Sequence, residues 1–593
     1  MGGKCGIMLA LRRTLSQALV RYGKKERESI GGKETDKAFG PEGRTDGGRA
    51  GSALLKGAAL LGMAAVISKL IGTLQKIPLQ NLAGDAVFGI YNAVYPLYIL
   101  ILFLATAGFP LVISKFVSEY AAARRFDEAR RVLRVALVAL MATGICFFLL
   151  LYSGADTIAR WIGASQTVEA IRSVSFALLI VPVMSCLRGY YQGFQNMVPT
   201  AWSQVAEQTV RVGTMLILLI VLMHLGYGPE WIAAGATFGS VTGAMAGLAV
   251  MLFFWRRDRE TLGSTGAVGG SSLFGAWQWK RDWALMKRLT VYAIPLCLGA
   301  IAVPILTLVD SFTLPRLLRI SGYDETGALY QFGLYHHGLP LVQLVAMIAS
   351  SMSAALVPAM AEARQRGDLA AARSRAEISL RFTWMIGLAA SFGLAVLAEP
   401  LNVMFFKSAD GTAAMAILSF TALFSVINIV AGSVLQGLGA VRAPALYLLL
   451  AAGVKVAANA LLVPRFGIAG AAAAAVAAYA LAGGLTLAHA LRAAGITAPG
   501  GRAVIKPLLA VGFMTLGLLA VTHGAPPLLA RLPVALPERG MAAIIALSGV
   551  ALGALAFAFA LLRLGAVSAA ELAQVPKLGG KPLALLRRLR LLP

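Results

Sequence analysis

Charge is scarce in this 593-residue chain: 13% of residues are Asp, Glu, Lys or Arg, against 58% hydrophobic residues and a mean hydropathy of +0.75. Soluble chains carry about 25% charged residues, so a soluble fold is excluded and an all-α polytopic membrane protein is expected. The four cysteines, Cys5, Cys146, Cys186 and Cys297, show neither CxxC nor metal-ligand spacing, which leaves them no redox or zinc role. Walker A loop, nucleophile elbow and His/Glu zinc signature are missing from the sequence. ATP hydrolysis and covalent catalysis are therefore not expected, and neither is a catalytic residue, a resident metal or a cofactor. The apolar run at residues 7–11 is followed at once by Arg12-Arg13, the wrong order for a signal peptide, so the first span is expected to act as its own insertion signal.

What the chain does have is an internal repeat at a fixed shift of 244 residues. Gly89, Tyr91, Pro96 and Leu97 return as Gly333, Tyr335, Pro340 and Leu341, Gln192-Gly193 returns as Gln436-Gly437, and the cationic Arg211 returns as Lys455. Two similar bundles side by side enclose a central cavity, the plan of many secondary transporters. Hydrophobic segments give six spans per half plus two C-terminal spans, fourteen in all. The expected organisation is a disordered basic cytoplasmic tail (1–50), an N-terminal six-helix lobe (51–255), and an interlobe linker with an interfacial helix (256–288). A C-terminal six-helix lobe (289–491), two extra spans (492–563) and a basic cytoplasmic tail (564–593) complete the chain. In the linker, Trp277, Trp279 and Trp283 stand among Lys280, Arg281 and Lys287, a composition suited to the headgroup level.

The net charge of +26 would suit nucleic acid, but its distribution does not. Of the 53 Lys and Arg residues, 41 fall in the tails and the loops of one side and only eight in the loops of the other. That is the positive-inside pattern, which with an even number of spans puts both termini on the cytoplasmic side of the membrane.

Polar residues within spans are costly and so mark cavities or partners. Lys69 and Lys76 are seven residues apart on the first span, and Lys69 is about 20 Å of helix beyond Lys56. In the fifth span, Gln204, Glu207, Gln208 and Arg211 fall at i, i+3, i+4 and i+7 and form one stripe, its repeat counterpart carrying Lys455 and Asn459. Asp310 in the seventh span either binds a coupling cation or, the favoured reading, pairs with a nearby base. His336-His337 opens the eighth span, near the outer face, without a third ligand at metal spacing. Deep cations thus exceed deep acids, which favours an anionic substrate.

The runs ISKLIGTLQKIPLQNLAGD (67–85), GIYNAVYPLYILILFLATAGFPLVISKFVSEY (89–120), RGYYQGFQNMVPTAWSQVAEQTVRV (188–212) and LVPAMAEA (356–363) resemble a known family. They are similar to the stage V sporulation protein B branch of the polysaccharide biosynthesis and lipid II flippase proteins, in the multidrug/oligosaccharidyl-lipid/polysaccharide superfamily. The resemblance covers residues 52 to 565 and implies fourteen helices, alternating access, and export of an undecaprenyl-pyrophosphate-linked precursor. Lys69 matches a basic position that lines the cationic cavity of lipid II flippases. Residues 97–104 are apolar where the better-known Gram-negative branch is arginine-rich.

The expected function is therefore a lipid-linked glycan flippase, most naturally for lipid II. Its cavity would be lined by Lys69, Lys76, Gln204, Glu207, Gln208, Arg211, Lys455 and Asn459. Its drive would be a coupling cation, with Asp310 the candidate site, or the membrane potential. The partners implied are the polyprenyl-pyrophosphate glycan, the bilayer and cell-wall synthesis enzymes, with no nucleic acid. The rivals are a cation-coupled drug antiporter, which needs Glu207 and Asp310 unpaired, and a non-transporting scaffold for cell-wall enzymes.

Overall fold

In lipid a backbone must satisfy its own hydrogen bonds, so an apolar chain of this kind has to be helical. The computed structural model describes residues 46–106, 108–262, 278–300, 302–496, 501–529 and 537–567, and among them there is no strand. Residues 1–45 and 568–593 of the expected tails, Trp277 and the middle of the interlobe linker lie outside the described residues, while residues 46–50, expected to be disordered, are helical. The chain divides into two compact units, Met1–Lys56 and Gly57–Pro593. Among the described residues the first unit contributes only the start of one helix, and the second holds both halves of the repeat.

The first half comprises α1 (Asp46–Leu74), α2 (Lys76–Thr106), α3 (Phe109–Ala122), α4 (Phe126–Ser153), α5 (Ala155–Ile162), α6 (Val168–Ser175), α7 (Ala177–Gly193), α8 (Val198–His224) and α9 (Pro229–Leu262). The second comprises α10 (Trp279–Ala300), α11 (Ala302–Ile320), α12 (Glu325–Tyr335), α13 (Gly338–Gln365), α14 (Leu369–Val396), α15 (Ala398–Phe406), α16 (Thr412–Leu418), α17 (Thr421–Gly437) and α18 (Ala443–Ala493), with α19 (Gly501–Leu529) and α20 (Glu538–Arg563) after it.

Among the described residues, eleven helical stretches are long and apolar enough to cross a membrane. Three exceed what one crossing needs: 325–365 has 41 residues, and the two longest, 59–122 and 443–493, have 64 and 51, against the roughly 20 of one span. Glycine breaks the two longest. Gly84 (φ 80°, ψ 175°) interrupts α2 and Gly467 (φ 56°, ψ −137°) interrupts α18, backbone angles that a side chain would oppose.

The halves meet where α2 crosses α12. A Cβ on Gly89 would lie 2.0 Å from the Leu329 carbonyl oxygen, and one on Gly333 would lie 2.1 Å from that of Asp85. Leu329 is Asp85 shifted by 244 residues, as Gly333 is Gly89, so the two contacts are reciprocal, as at an axis of two-fold symmetry. Further bonds join the halves at the same end. Ser165 Oγ and Gln166 N donate to Glu325 Oε1 at 2.8 and 2.9 Å, Arg319 Nη1 to Gly163 O at 3.1 Å, and Asn81 Nδ2 to Phe405 O at 2.5 Å.

Trp279 and Trp283 are exposed and stacked at the start of α10, a helix that continues past the expected end of the linker at residue 288 to Ala300. Its buried Asp282 accepts from Arg131 Nε of α4 at 2.5 Å, and Arg281 reaches Glu128 at 2.6 Å, so α10 opens the second half while docked on the first.

Substituting Gly89→Ala or Gly333→Ala should each lower unfolding stability in detergent by about 3 kcal/mol, because the clash is with backbone that cannot rotate away. Gly213→Ala, which has open space within 4 Å, should leave thermal stability unchanged or slightly raised.

Candidate substrate-binding site

The stripe on α8 is real as a packing unit, and its charge is more elaborate than a single pair. Glu207 accepts from Arg211 Nη2 at 2.7 Å and from Arg188 Nη2 of α7 at 2.9 Å. Arg188 also donates to Ser203 Oγ at 2.7 Å, and that hydroxyl donates to Gly247 O at 2.9 Å. The close fit of α9 comes from its glycines at every fourth position, of which Gly243 and Gly247 lie against Glu207, Arg211 and Arg188. Two arginines share one carboxylate, so the cluster keeps one positive charge.

Arg211 Nη1 also donates to the Tyr95 hydroxyl at 3.3 Å. Tyr95 stacks on Tyr91 with ring centroids 5.3 Å apart, and Gln75 donates to the Tyr91 hydroxyl at 3.3 Å. Around this group, Gln75 Oε1, Gln204 Oε1, Gln208 Oε1, the Tyr98 hydroxyl and Arg211 Nε are buried without a hydrogen-bond partner among the described residues. Buried polar atoms are ordinarily satisfied, so this is unspent capacity for a ligand or water. A Cβ at Gly72 would lie 3.5 Å from Gln208 Oε1, which brings the first span against the stripe. Lys69, one turn before Gly72, is exposed, whereas Lys76 is buried and within electrostatic reach of His336. No hydrogen bond or ion pair engages Lys69 among the described residues.

The second half is built differently. Lys455 Nζ is bonded to Asp310 Oδ2 at 2.6 Å and to Leu306 O at 2.9 Å. Asn459 Nδ2 donates to Asp310 Oδ1 and Thr313 Oγ1 at 3.3 and 2.9 Å, and the Tyr335 hydroxyl donates to Asp310 Oδ2 at 2.9 Å. Lys455, Asp310, Asn459 and Tyr335 are all buried. Lys455 is thus neutralised and Asp310 is occupied, so the cationic excess resides in the first half, with Lys69, Lys76 and the arginine pair. Polar residues within the spans do not single out Arg188, although it opens the 188–212 run that carries the family resemblance. Its signal was a basic residue preceded by an apolar run and followed by two tyrosines at the end of a span.

Asp310→Asn should cost about 3–5 kcal/mol by stranding the Lys455 charge, while the double change Asp310→Leu with Lys455→Met should recover most of it. Thermal unfolding of Asp310→Asn and of the double variant in detergent checks this.

The fold compares with those of two solved transporters. One is an inward-facing multidrug resistance MATE family transporter of the MOP superfamily, matched over 72% of this chain and 94% of that one, with TM-score 0.59 and 15% identity. The other is the lipid II flippase MurJ in an inward closed conformation, matched over 85% and 99%, with TM-score 0.57 and 13% identity. The chain is a multi-pass membrane protein of the flippase and exporter class with a MOP-superfamily fold, the two matched structures and its MurJ relative being transporters rather than catalysts.

Residues 54–364 match the polysaccharide biosynthesis protein family model. Three relatives come from Bacillus subtilis (strain 168). The uncharacterized membrane protein YabM is 33% identical over 537 residues, covering 90% of this chain and 96% of its own. Lipid II flippase MurJ is 28% identical, covering 60% and 66%, and stage V sporulation protein B is 27% identical, covering 74% and 82%. The chain belongs to the polysaccharide biosynthesis protein family.

Proposed function

We propose that this protein moves a polyprenyl-pyrophosphate-linked cell-wall glycan precursor, lipid II in the first instance, across the bacterial cytoplasmic membrane. The observation that carries this reading is the cationic excess of the first half. Two arginines share Glu207, and Lys69 and Lys76 stand on the neighbouring span. An anionic pyrophosphate offers such a group the counter-charge it lacks. The unpartnered amide oxygens of Gln75, Gln204 and Gln208 suit glycan or peptide donors nearby. Glu207 and Asp310 are both buried and ion-paired, an arrangement that disfavours a cation antiporter.

In this reading fourteen spans form two six-helix lobes and a C-terminal pair. The fourteen are the eleven stretches, with 59–122 and 443–493 each counted twice, and a seventh span running through α10 and α11. Both termini are cytoplasmic by the positive-inside pattern, so the end where α2 crosses α12 faces outward and is closed. Transport is rocking of the lobes, which opens that end while the polyprenyl tail stays in lipid. Membrane potential, negative inside, favours outward movement of the anion.

Expression in cells depleted of their own flippase should restore lipid II exposure at the outer surface. Lys69→Ala and Arg211→Ala should each reduce it about tenfold at equal membrane expression, the effect of losing one charge-assisted contact. Well-expressed protein that leaves lipid II unexposed would reject this substrate. Full activity of both variants would reject these residues as its binding groups.

A further inference from the structure

At the closed end, Asp85, His337 and Asn402 form a buried polar chain that passes from the first half to the second. His337 and Asn402 are fully buried and Asp85 is 7% exposed. His337 Nδ1 lies 2.8 Å from Asn402 Oδ1, and Nε2 lies 2.7 Å from Asp85 Oδ1. The imidazole is stacked on Phe406 with centroids 4.1 Å apart and planes at 7°, with Phe88 beside it, so packing fixes the ring.

The hydrogen bonds of Asn402 determine where the protons must be. Its Nδ2 donates to Asp410 O at 2.8 Å and to Thr412 Oγ1 at 3.2 Å, and Thr412 Oγ1 is itself a donor to Ala409 O. Asn402 Oδ1 is therefore the atom turned to His337, and Nδ1 must carry the hydrogen that it accepts. A neutral imidazole in that tautomer presents a lone pair at Nε2. Opposite an ionised Asp85, lone pair would face lone pair at 2.7 Å. The contact is a hydrogen bond only when one more proton lies between Asp85 Oδ1 and His337 Nε2. Gln80 Nε2 donates to the same Asp85 oxygen at 3.1 Å, which orients the carboxylate without supplying that proton.

We propose that Asp85 and His337 are a proton-binding site that holds the outer end closed: closing takes up one proton, and opening, which parts the two residues, releases it. The proposal rests on the rocking motion proposed for transport. Other ionisable groups surround the site. His336 is bonded to Phe332 O, with Lys76 and Lys455 in electrostatic reach of it. Tyr330 donates to Asp410 and also senses Asp85, and Lys407 is exposed just after Phe406. The repeat supplies no second copy, since the counterparts of Asp85 and His337 at the 244-residue shift are Leu329 and Ala93. One proton per molecule is therefore expected. The closed form binds the additional proton, so acid favours closure, and the closed-to-open ratio should rise by up to about tenfold for each unit fall in pH.

The test uses full-length protein in lipid nanodiscs with its four native cysteines replaced by alanine. Spin labels at Arg160→Cys and Ile320→Cys, which line one cleft between the halves at this end, report opening by pulsed dipolar spectroscopy from about pH 5 to pH 8, where histidine side chains ordinarily titrate. The short-distance population should grow as pH falls. Asp85→Asn should hold the end closed at every pH, because its amide N–H donates to Nε2 with no added proton. His337→Phe should abolish the pH response as well, with the end more open. A response that survives in both variants overturns the proposal, as do two populations whose ratio ignores pH in the parent protein. A single distance at every pH, with and without added lipid II, overturns the rocking motion and this site with it.

Discussion

The crossing of α2 and α12 is the contact on which the rest of the molecule depends. Two helices approach so closely that each presents a carbonyl oxygen where the other would carry a Cβ. In a membrane, where lipid is as apolar as leucine, association of this kind is driven by close packing and not by the hydrophobic effect. The glycines of the repeated Gly-x-Tyr motif make that approach sterically feasible. Its tyrosines turn away from the crossing and into the two halves. Tyr91 stacks on Tyr95, which meets Arg211, while Tyr335 bonds Asp310. One three-residue motif therefore joins the halves and connects the crossing to the charge cluster of each.

The clusters themselves are two different solutions to one problem. A charge within the bilayer must find a partner or neutralise. In the second half the charges cancel: Lys455 and Asp310 satisfy each other, and Asn459, Tyr335 and a backbone carbonyl bond to them, although Asn459 Oδ1 is itself buried without a partner among the described residues. In the first half cancellation is incomplete by one positive charge, and several amide oxygens stay unbonded. Structural similarity at a repeated position has thus been kept while electrostatic equivalence has been lost.

Much of this was legible in the chain. Hydropathy gave helices and membrane insertion, and the repeat marked the glycine crossing before its purpose was known. The i, i+3, i+4, i+7 stripe named Gln204, Glu207, Gln208 and Arg211 as one face, and Asp310 was rightly expected to pair with a base. Other features were not legible. No local pattern marks Arg188 as a deep charge, because its partner Glu207 lies on another helix. The chain shows Lys455 as a deep cation, and only the packing of α11 brings Asp310 to it. Asp85 and His337 are 252 residues apart, and neither sits in a local pattern that predicts the other.

The division reflects the range of the forces involved. Burial, helix formation and the spacing of polar residues along one face depend on neighbours within a turn or two, so the sequence by itself determined the helical membrane fold and the face of each polar stripe. Which charges are cancelled, and where the halves seal, depends on side chains meeting across helices far apart in the chain. Only the tertiary structure decided that the excess positive charge lies in the first half, because pairing is a property of three-dimensional contact, and a carboxylate 145 residues away cancels Lys455 as fully as one on the next turn.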